Sequence, residues 1–136
     1  MGREEPALLG IDVGTRGIKA VISSASGKIL GTGYVEYPLI TLSPEMVEQD
    51  ARLWWEGTCQ AVRRSLLEAG CRGEKLLAVG VSSQGFSFVP IDSHGRELRN
   101  AITWLDSRAE SEVGHVIRGL SEDSIIRRTG RRPLAA

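Results

Sequence analysis

The stretch that decides the fold is Leu8-Leu9-Gly10-Ile11-Asp12-Val13-Gly14-Thr15-Arg16-Gly17-Ile18-Lys19-Ala20-Val21. It has an apolar strand that ends on a carboxylate, a turn with two glycines, and a second strand. Because glycine tolerates positive φ, Gly14 and Gly17 predict a turn whose backbone N–H groups point into one concavity and hold phosphate oxygens. Asp12 could hold Mg²⁺ directly or through water, and Lys19 adds a nearby cation. An ordinary hairpin turn is the alternative.

Two better-known phosphate-binding turns do not match this stretch. A dinucleotide-binding fingerprint needs G-x-G-x-x-G at the start of a helix, whereas residues 18–22 are mostly apolar and rich in β-branched side chains, which is typical of a strand. A Walker A loop needs G-x-x-x-x-G-K-[ST], and no segment of the chain has that pattern. The sequence therefore argues against both a Rossmann site and a P-loop.

The first half of the chain predicts a β-meander followed by an amphipathic helix. Residues 7–13, 17–23 and 28–37 have the composition of strands. Asp50 is suited to cap the start of the helix and Gly70 to end it. The apolar positions of the helix recur at helical spacing, so we expect them to pack on the sheet, with Trp55 in the core; they are Ala51, Trp55, Cys59, Val62, Leu66 and Ala69.

The second half begins with a nearly unbroken apolar run at residues 75–81, which predicts a central strand buried on both faces and next to, or near, the first strand. The polar segment 82–87 follows where the sheet ends, and ligands of open α/β sheets bind at such ends. Residues 86–91 and 101–106 predict two more strands, and helices are expected from Ser107 onward. The predicted order is β-β-β-α-β-β-β-α.

Four segments together resemble the N-terminal part of FGGY-family carbohydrate kinases, in particular xylulokinase-like members. Each segment is weak alone, but their order and separations form a specific pattern over nearly the whole chain. They are Gly10-Ile11-Asp12-Val13-Gly14-Thr15 with Lys19, Val47-Glu48-Gln49-Asp50 with Trp54-Trp55, Val79-Gly80-Val81-Ser82-Ser83-Gln84-Gly85, and Ala101-Ile102-Thr103-Trp104-Leu105-Asp106-Ser107-Arg108. The resemblance implies the α/β fold of actin-like ATPases and ribonuclease H, a mixed sheet with flanking helices.

The resemblance also implies an ATP and Mg²⁺ site in the first segment. It assigns Asp12 to Mg²⁺ or its water shell and Lys19 to charge neutralisation. It assigns the turn to the ATP phosphates, namely Gly14, Thr15, Arg16 and Gly17. Family members often carry hydroxyl residues after the Gly-Thr pair, and this chain departs from that pattern. Arg16 either replaces the hydroxyl contact with a charge-assisted bond or is solvated.

For the sugar, the resemblance points to two later segments. The residues that it assigns to this substrate are Gln84, Gly85, Phe86, Trp104, Asp106 and Arg108. The structural alternative for Trp104 is a core aromatic residue. For Asp106 and Arg108 it is a local ion pair at the start of a helix, where the helix dipole favours a carboxylate.

The chain has the length of one domain, whereas the resemblance implies a longer first lobe and a second, nucleotide-binding lobe. In the family, an aspartate in a downstream G-x-G-D-type segment is the general base, so no catalytic base is assigned within these 136 residues. We expect an incomplete N-terminal sugar-kinase domain that is inactive alone and that, because apolar surface is uncovered, is only marginally stable or self-associates. The alternative is a non-catalytic sugar- or nucleotide-binding module of the same fold.

Composition predicts an ordinary globular domain, with 41% hydrophobic residues, 25% charged residues and a formal net charge of zero. No nucleic-acid partner is expected, because the late arginines lack interleaved aromatic residues. No membrane partner is expected either, because no stretch approaches membrane-spanning length. Cys59 and Cys71 lack the spacing of a disulfide framework, which suits a reducing cytoplasm.

Overall fold

A computed structural model describes residues 6–135 of the chain. These residues form two compact units. The first unit comprises the residues up to Leu39 together with Asp50–Gln84. The second comprises Ile40–Gln49 together with the residues from Gly85 onward. The chain therefore leaves the first unit after residue 39 and returns to it at residue 50.

The described part of the chain contains strands and α-helices in a mixed order. They are β1 (Ala7–Val13), β2 (Gly17–Ser24), β3 (Ile29–Glu36), β4 (Ile40–Ser43), β5 (Met46–Gln49), α1 (Arg52–Ala69), β6 (Leu76–Ser83), β7 (Ala101–Ile102), α2 (Glu110–Leu120) and α3 (Glu122–Thr129). A 3-10 turn, Gly73–Lys75, leads into β6. Among residues 6–135, no helix has the length and apolar character needed to cross a membrane.

The first unit is built on a four-stranded mixed sheet with the order β3-β2-β1-β6. β1 pairs antiparallel with β2, and β2 pairs antiparallel with β3. β6 lies parallel to β1. The predicted meander is confirmed, and so is the prediction that β6 neighbours β1. The core of this unit lies between the sheet and α1, and its buried hydrophobic residues are Ala7, Leu9, Ile18, Ala20, Ile22, Tyr37 and Ala61.

α1 packs on β2 and β3 through small residues. Gly57, Ala61 and Ser65 are buried along one stripe of the helix, at a spacing of four residues. Opposite them, a Cβ at Gly33 would collide with the carbonyl group of Ala61, and a Cβ at Gly31 would collide with that of Ser65. The helix backbone therefore rests almost directly on the backbone of β3.

The buried face of α1 differs from the predicted face. Trp55 was expected in the core, but its side chain is 73% exposed, whereas its neighbour Trp54 packs against the core. Because the contact is centred on small residues, the large apolar side chains lie at its flanks and Trp55 faces away. The end of the helix is confirmed, since Gly70 has φ of 58° and its N–H donates to Leu66 and Leu67 carbonyls.

β6 is an edge strand, which corrects the prediction of a central strand buried on both faces. Among the residues that the structure describes, β1 is its only partner strand. Val81 is 67% exposed, and Leu77 and Val79 are exposed as well. The physical reason is that α1 packs on β2 and β3, so the side chains of Leu77, Val79 and Val81 are left uncovered within the first unit.

The second unit contains a small antiparallel sheet with the order β4-β5-β7, followed by α2 and α3. The sequence did not predict β4 and β5, because both are short and mix polar with apolar residues. The strand predicted at residues 86–91 is wrong, since that segment makes only isolated bridges. The strand predicted at residues 101–106 is limited to β7, because the N–H of Asp106 donates to the Thr103 carbonyl in a turn. The helices expected after Ser107 are confirmed.

Candidate functional site

Residues 14–17 form a tight turn between β1 and β2. The N–H of Gly14 donates a 3.0 Å hydrogen bond to the carbonyl oxygen of Gly17. Neither glycine has a positive φ, which corrects the expectation that the turn needs glycine for that conformation. At Gly17 the requirement is space instead, because a Cβ there would lie 2.5 Å from the carbonyl oxygen of Val35.

The donors that the turn offers also differ from those expected. The N–H of Gly14 is used inside the turn, so it does not point to a ligand. Arg16 is exposed, and neither its N–H nor its guanidinium donates to another residue in the described part of the chain. The N–H and guanidinium groups of Arg16 are therefore available as donors at the tip of the turn. This placement fits a phosphate contact and equally fits a solvated side chain.

Asp12, Lys19 and Ser82 lie side by side on the face of the sheet opposite α1. Asp12 stands opposite Lys19 in the β1–β2 register and opposite Ser82 in the β1–β6 register. All three line one shallow cavity of about 440 Å³. No side chain fills the bottom of the cavity at Gly10 and Gly80, which are paired across the two strands. A Cβ at either glycine would meet nothing within 4 Å.

The charged groups of this cavity are open to a ligand. The side chains of Asp12 and Lys19 make no hydrogen bond or ion pair with any residue between 6 and 135. The Asp12 carboxylate also lies beside the turn, since a Cβ at Gly14 would be 3.8 Å from Asp12 Oδ2. A carboxylate is an oxygen ligand that Mg²⁺ prefers, and an ammonium group binds phosphate oxygens. The cavity thus offers groups for both a cation and an anion.

Tyr37 hydrogen-bonds to the turn at two points. Its hydroxyl donates to the carbonyl oxygen of Gly14, and its N–H donates to that of Arg16 at 3.3 Å. The Tyr37 side chain is buried. Burial, together with the charges of Asp12 and Tyr34, raises the pKa of Tyr37 to about 12. The hydroxyl is therefore protonated at neutral pH and acts as a donor.

In the second unit, the segment that carries Trp104 is held against the segment that carries Phe86. The N–H of Trp104 donates to Ser87 Oγ at 3.1 Å. Trp104 is 46% exposed, so it is not the core aromatic residue of the structural alternative. Phe86 is also exposed and has φ of 57°, a strained conformation for a bulky residue. The Arg131 guanidinium lies 3.8 Å from the centroid of the Phe86 ring.

Asp106 and Arg108 form the local ion pair of the structural alternative, within a larger buried network. Arg108 donates to both Asp106 oxygens, at 2.8 Å from Nε and 2.7 Å from Nη2. Arg108 also donates to Glu48 on β5 at 2.8 Å. Arg99 and Asn100 donate to the same Glu48 carboxylate. Both carboxylates are buried, so two arginines compensate two charges removed from water.

The network keeps both carboxylates ionised. Hydrogen bonds from Arg108 lower the pKa of Asp106 against the opposing effect of burial, and the Val47 N–H adds to them. For Glu48, burial alone would raise the pKa, but hydrogen bonds from Arg108 and Asn100 outweigh it and the pKa is lowered. The Val47 N–H also ties Asp106 to β5 at 2.8 Å. This supports a role for the network in holding the turn after Trp104.

The structure divides the predicted site residues between its two units. Gln84 ends the first unit, and its N–H donates to the Val13 carbonyl at 2.9 Å. Gly85 begins the second segment of the second unit. The first unit brings together the residues predicted for Mg²⁺ and ATP phosphates, which are Asp12, Gly14, Thr15, Arg16, Gly17 and Lys19. The second unit contains Phe86, Trp104, Asp106 and Arg108.

Sequence reasoning assigned no role to two residues that organise these sites, Tyr37 and Glu48. For Glu48 a signal existed, because a carboxylate between Val47 and Gln49 sits in a segment of the family pattern. A buried carboxylate needs a cation, and Arg99 and Arg108 were the candidates. Tyr37 offered no such signal, since tyrosine is common in strands.

Comparison with known proteins places the chain in a family. It matches the FGGY family of carbohydrate kinases, N-terminal domain, over residues 7–133. It is 30% identical over 135 residues to the xylulose kinase of Streptomyces rubiginosus, covering 98% of this chain and 27% of that protein. It is 29% identical over 128 residues to the glycerol kinase of Rhodospirillum centenum, covering 93% of this chain and 26% of that protein. The chain belongs to the FGGY family of carbohydrate kinases, as its sequence pattern predicted.

The fold is also that of a solved family structure. The crystal structure of a xyloylose kinase from Brucella ovis matches with a TM-score of 0.86 and 23% identity, over 95% of this chain and 26% of that one. The predicted α/β fold of actin-like ATPases, with a mixed sheet and flanking helices, is confirmed. The chain spans about a quarter of the length of the relatives it matches, and its match is to the N-terminal domain of the family.

Proposed function

We propose that this chain supplies phosphate-binding and acceptor-binding residues of an ATP-dependent carbohydrate kinase. The enzyme would transfer the γ-phosphoryl group of ATP to a hydroxyl group of a pentulose or related polyol. The observation that carries this proposal is the cavity lined by Asp12, Lys19 and Ser82 beside the 14–17 turn. It lies at the carboxyl ends of the parallel strands β1 and β6, and open α/β sheets bind ligands at such ends.

On the nucleotide side, positioning and charge stabilisation are the main requirements of phosphoryl transfer. We assign Asp12 to Mg²⁺, directly or through water, and the exposed carboxylate without a described partner fits that role. Bound there, Mg²⁺ would neutralise charge on the phosphates. Lys19 would add a second positive charge. The assignment of the turn to the ATP phosphates covers Gly14, Thr15, Arg16 and Gly17.

On the acceptor side, the exposed rings of Trp104 and Phe86 offer apolar faces against which the C–H groups of a polyol can pack. Asp106 and Arg108 are tied to each other and to Glu48, so we propose that they hold the Trp104 segment in the position that receives the acceptor. The full set assigned to the acceptor is Gln84, Gly85, Phe86, Trp104, Asp106 and Arg108.

The chemical step needs groups that are not assigned to this chain. A general base must orient the attacking hydroxyl, and the family resemblance places that aspartate downstream. We therefore propose that residues 1–136 are an incomplete N-terminal domain, that catalysis needs a second nucleotide-binding lobe, and that this chain alone is inactive. We also propose a cytoplasmic location, which the free thiols of Cys59 and Cys71 support.

The test separates phosphate binding from acceptor binding on the ¹⁵N-labelled chain. We expect Mg·ATP to shift the amide resonances of residues 12–19, and xylulose to shift the amide resonances of residues 84–86 as well as the Trp104 indole resonance. Asp12→Asn should weaken only the first response, with Glu56→Gln, an exposed carboxylate on α1, as its control. Trp104→Ala should weaken only the second by about 1–3 kcal/mol through lost burial, with the exposed Trp55→Ala as its control.

Two results would contradict parts of this proposal. If neither ligand shifts the resonances of its assigned residues, the chain does not contain the proposed sites. If the purified chain releases ADP in a sugar-dependent manner above a no-enzyme control, a catalytic base lies within these 136 residues. Binding of both ligands without turnover is the expected outcome.

A further inference from the structure

We infer that Tyr37 is a positioning residue for phosphate binding, because it holds the carbonyl groups of the 14–17 turn away from the ligand. This inference rests on the proposed function of that turn. Tyr37 itself touches no phosphate in this arrangement. It acts through the conformation of the turn, from a position directly after β3.

The 14–17 turn carries carbonyl groups as well as N–H groups. A carbonyl oxygen that faces a phosphate repels it, whereas N–H groups attract it. In this turn, the Gly14 carbonyl accepts from the Tyr37 hydroxyl, the Arg16 carbonyl accepts from the Tyr37 N–H, and the Gly17 carbonyl accepts from the Gly14 N–H. Two of these three carbonyl groups are thus held by one residue. The turn can then present donors, including those of Arg16, to an anion.

The Tyr37 hydroxyl has a fixed position. Its side chain is only 8% exposed and belongs to the core cluster of the first unit. α1 approaches it closely, since a Cβ at Gly57 would lie 3.7 Å from the Tyr37 ring and 3.1 Å from Ile18. The Tyr37 ring is held by the core, and its hydroxyl is bonded to the turn. The side chain therefore restrains the turn relative to the sheet.

The hydroxyl is protonated and can donate, and burial followed by the charge of Asp12 raises the pKa of Tyr37 to about 12. A tyrosinate at this position would lose the bond to Gly14 and would add a negative charge beside the phosphates. The structure avoids both effects at neutral pH.

The test compares Tyr37→Phe with Tyr34→Phe, using inorganic triphosphate with Mg²⁺ as the probe. The first variant keeps the ring and removes the hydroxyl donor. Tyr34 lines one cavity together with Arg16 and Tyr37, and its hydroxyl donates to no residue in the described ranges, so it is a matched control. We expect Tyr37→Phe to bind triphosphate about 3- to 10-fold more weakly, the equivalent of one hydrogen bond. Tyr34→Phe should bind like the unaltered chain.

A spectroscopic readout distinguishes positioning from a general loss of structure. In Tyr37→Phe, amide exchange should accelerate at residues 14–16 but not along β1 and β2. If that variant does not fold, the unaltered chain still decides, because a bonded Tyr37 hydroxyl proton should exchange slowly and show an NOE to Gly14. Absence of that NOE, or triphosphate binding by Tyr37→Phe at full affinity, would overturn the role inferred for Tyr37 but not the proposed phosphate site. If the unaltered chain shows no triphosphate shifts at the turn, the proposed phosphate site itself fails.

Discussion

At the scale of single residues, Asp106 shows how strongly a buried charge depends on its partners. Asp106 is 2% exposed and accepts hydrogen bonds from Arg108 and from the Val47 N–H. Asp106→Asn removes the charge and leaves Arg108 partly uncompensated, so we expect the second unit to lose about 3 kcal/mol or more. Urea unfolding measures this loss. Asp123→Asn, on the exposed first turn of α3, is the control and should cost less than about 1 kcal/mol.

The same network predicts a pH dependence of stability. The pKa values of Asp106 and Glu48 are lowered in the folded state, so the unfolded chain binds more protons at acidic pH. The contribution of these carboxylates is present above their unfolded pKa values of about 4 and is lost as pH falls through the lower folded values. Unfolding free energies measured from pH 7 to pH 3 should show this fall, and Asp106→Asn should flatten it. An equal slope in the variant would contradict the assignment.

At the scale of elements, the contact between α1 and β3 depends on glycine residues of β3, which have no side chain. Gly33→Ala would push a methyl group into the Ala61 carbonyl, so the helix must move away from the sheet. We expect a loss of about 1–3 kcal/mol from this overpacking. Gly80→Ala, on β6 of the same sheet, is a matched control, because its new Cβ meets nothing within 4 Å. Thermal unfolding of the two variants should differ, and equal melting temperatures would refute the close contact.

At the scale of the whole molecule, β6 leaves an exposed apolar surface with an unpaired edge among the described residues. Long apolar edge strands are templates for another strand, so we expect the isolated chain to self-associate as its concentration rises. Val81→Lys should reduce association, because it places a charge on this strand. Leu67→Lys, on an exposed position of α1, should not. Sedimentation that shows a compact monomer at every concentration would contradict this prediction.

Local patterns predicted the elements of the first unit because their signals lie in neighbouring residues. Gly70 ends α1 since a left-handed residue is needed there, and the alternation of the first two strands is visible over a few positions. The same patterns failed where burial depends on distant segments. Trp55 fits the apolar period of its helix, and residues 76–81 fit a buried strand, yet Trp55 and residues 77–81 are exposed. The segment at 86–91 has the composition of a strand but lacks a partner along most of its length.

The sequence by itself determined the β-meander, the amphipathic helix, the turn with its carboxylate and lysine, and membership of the FGGY family. Only the tertiary structure decided which face of α1 is buried, that β6 is an edge, and which residues organise the sites. Tyr37 reaches Gly14 across 23 positions and Arg108 reaches Glu48 across 60. Turns and periodicity are encoded by adjacent residues, whereas such contacts exist only after the chain has closed long loops and packed its backbone.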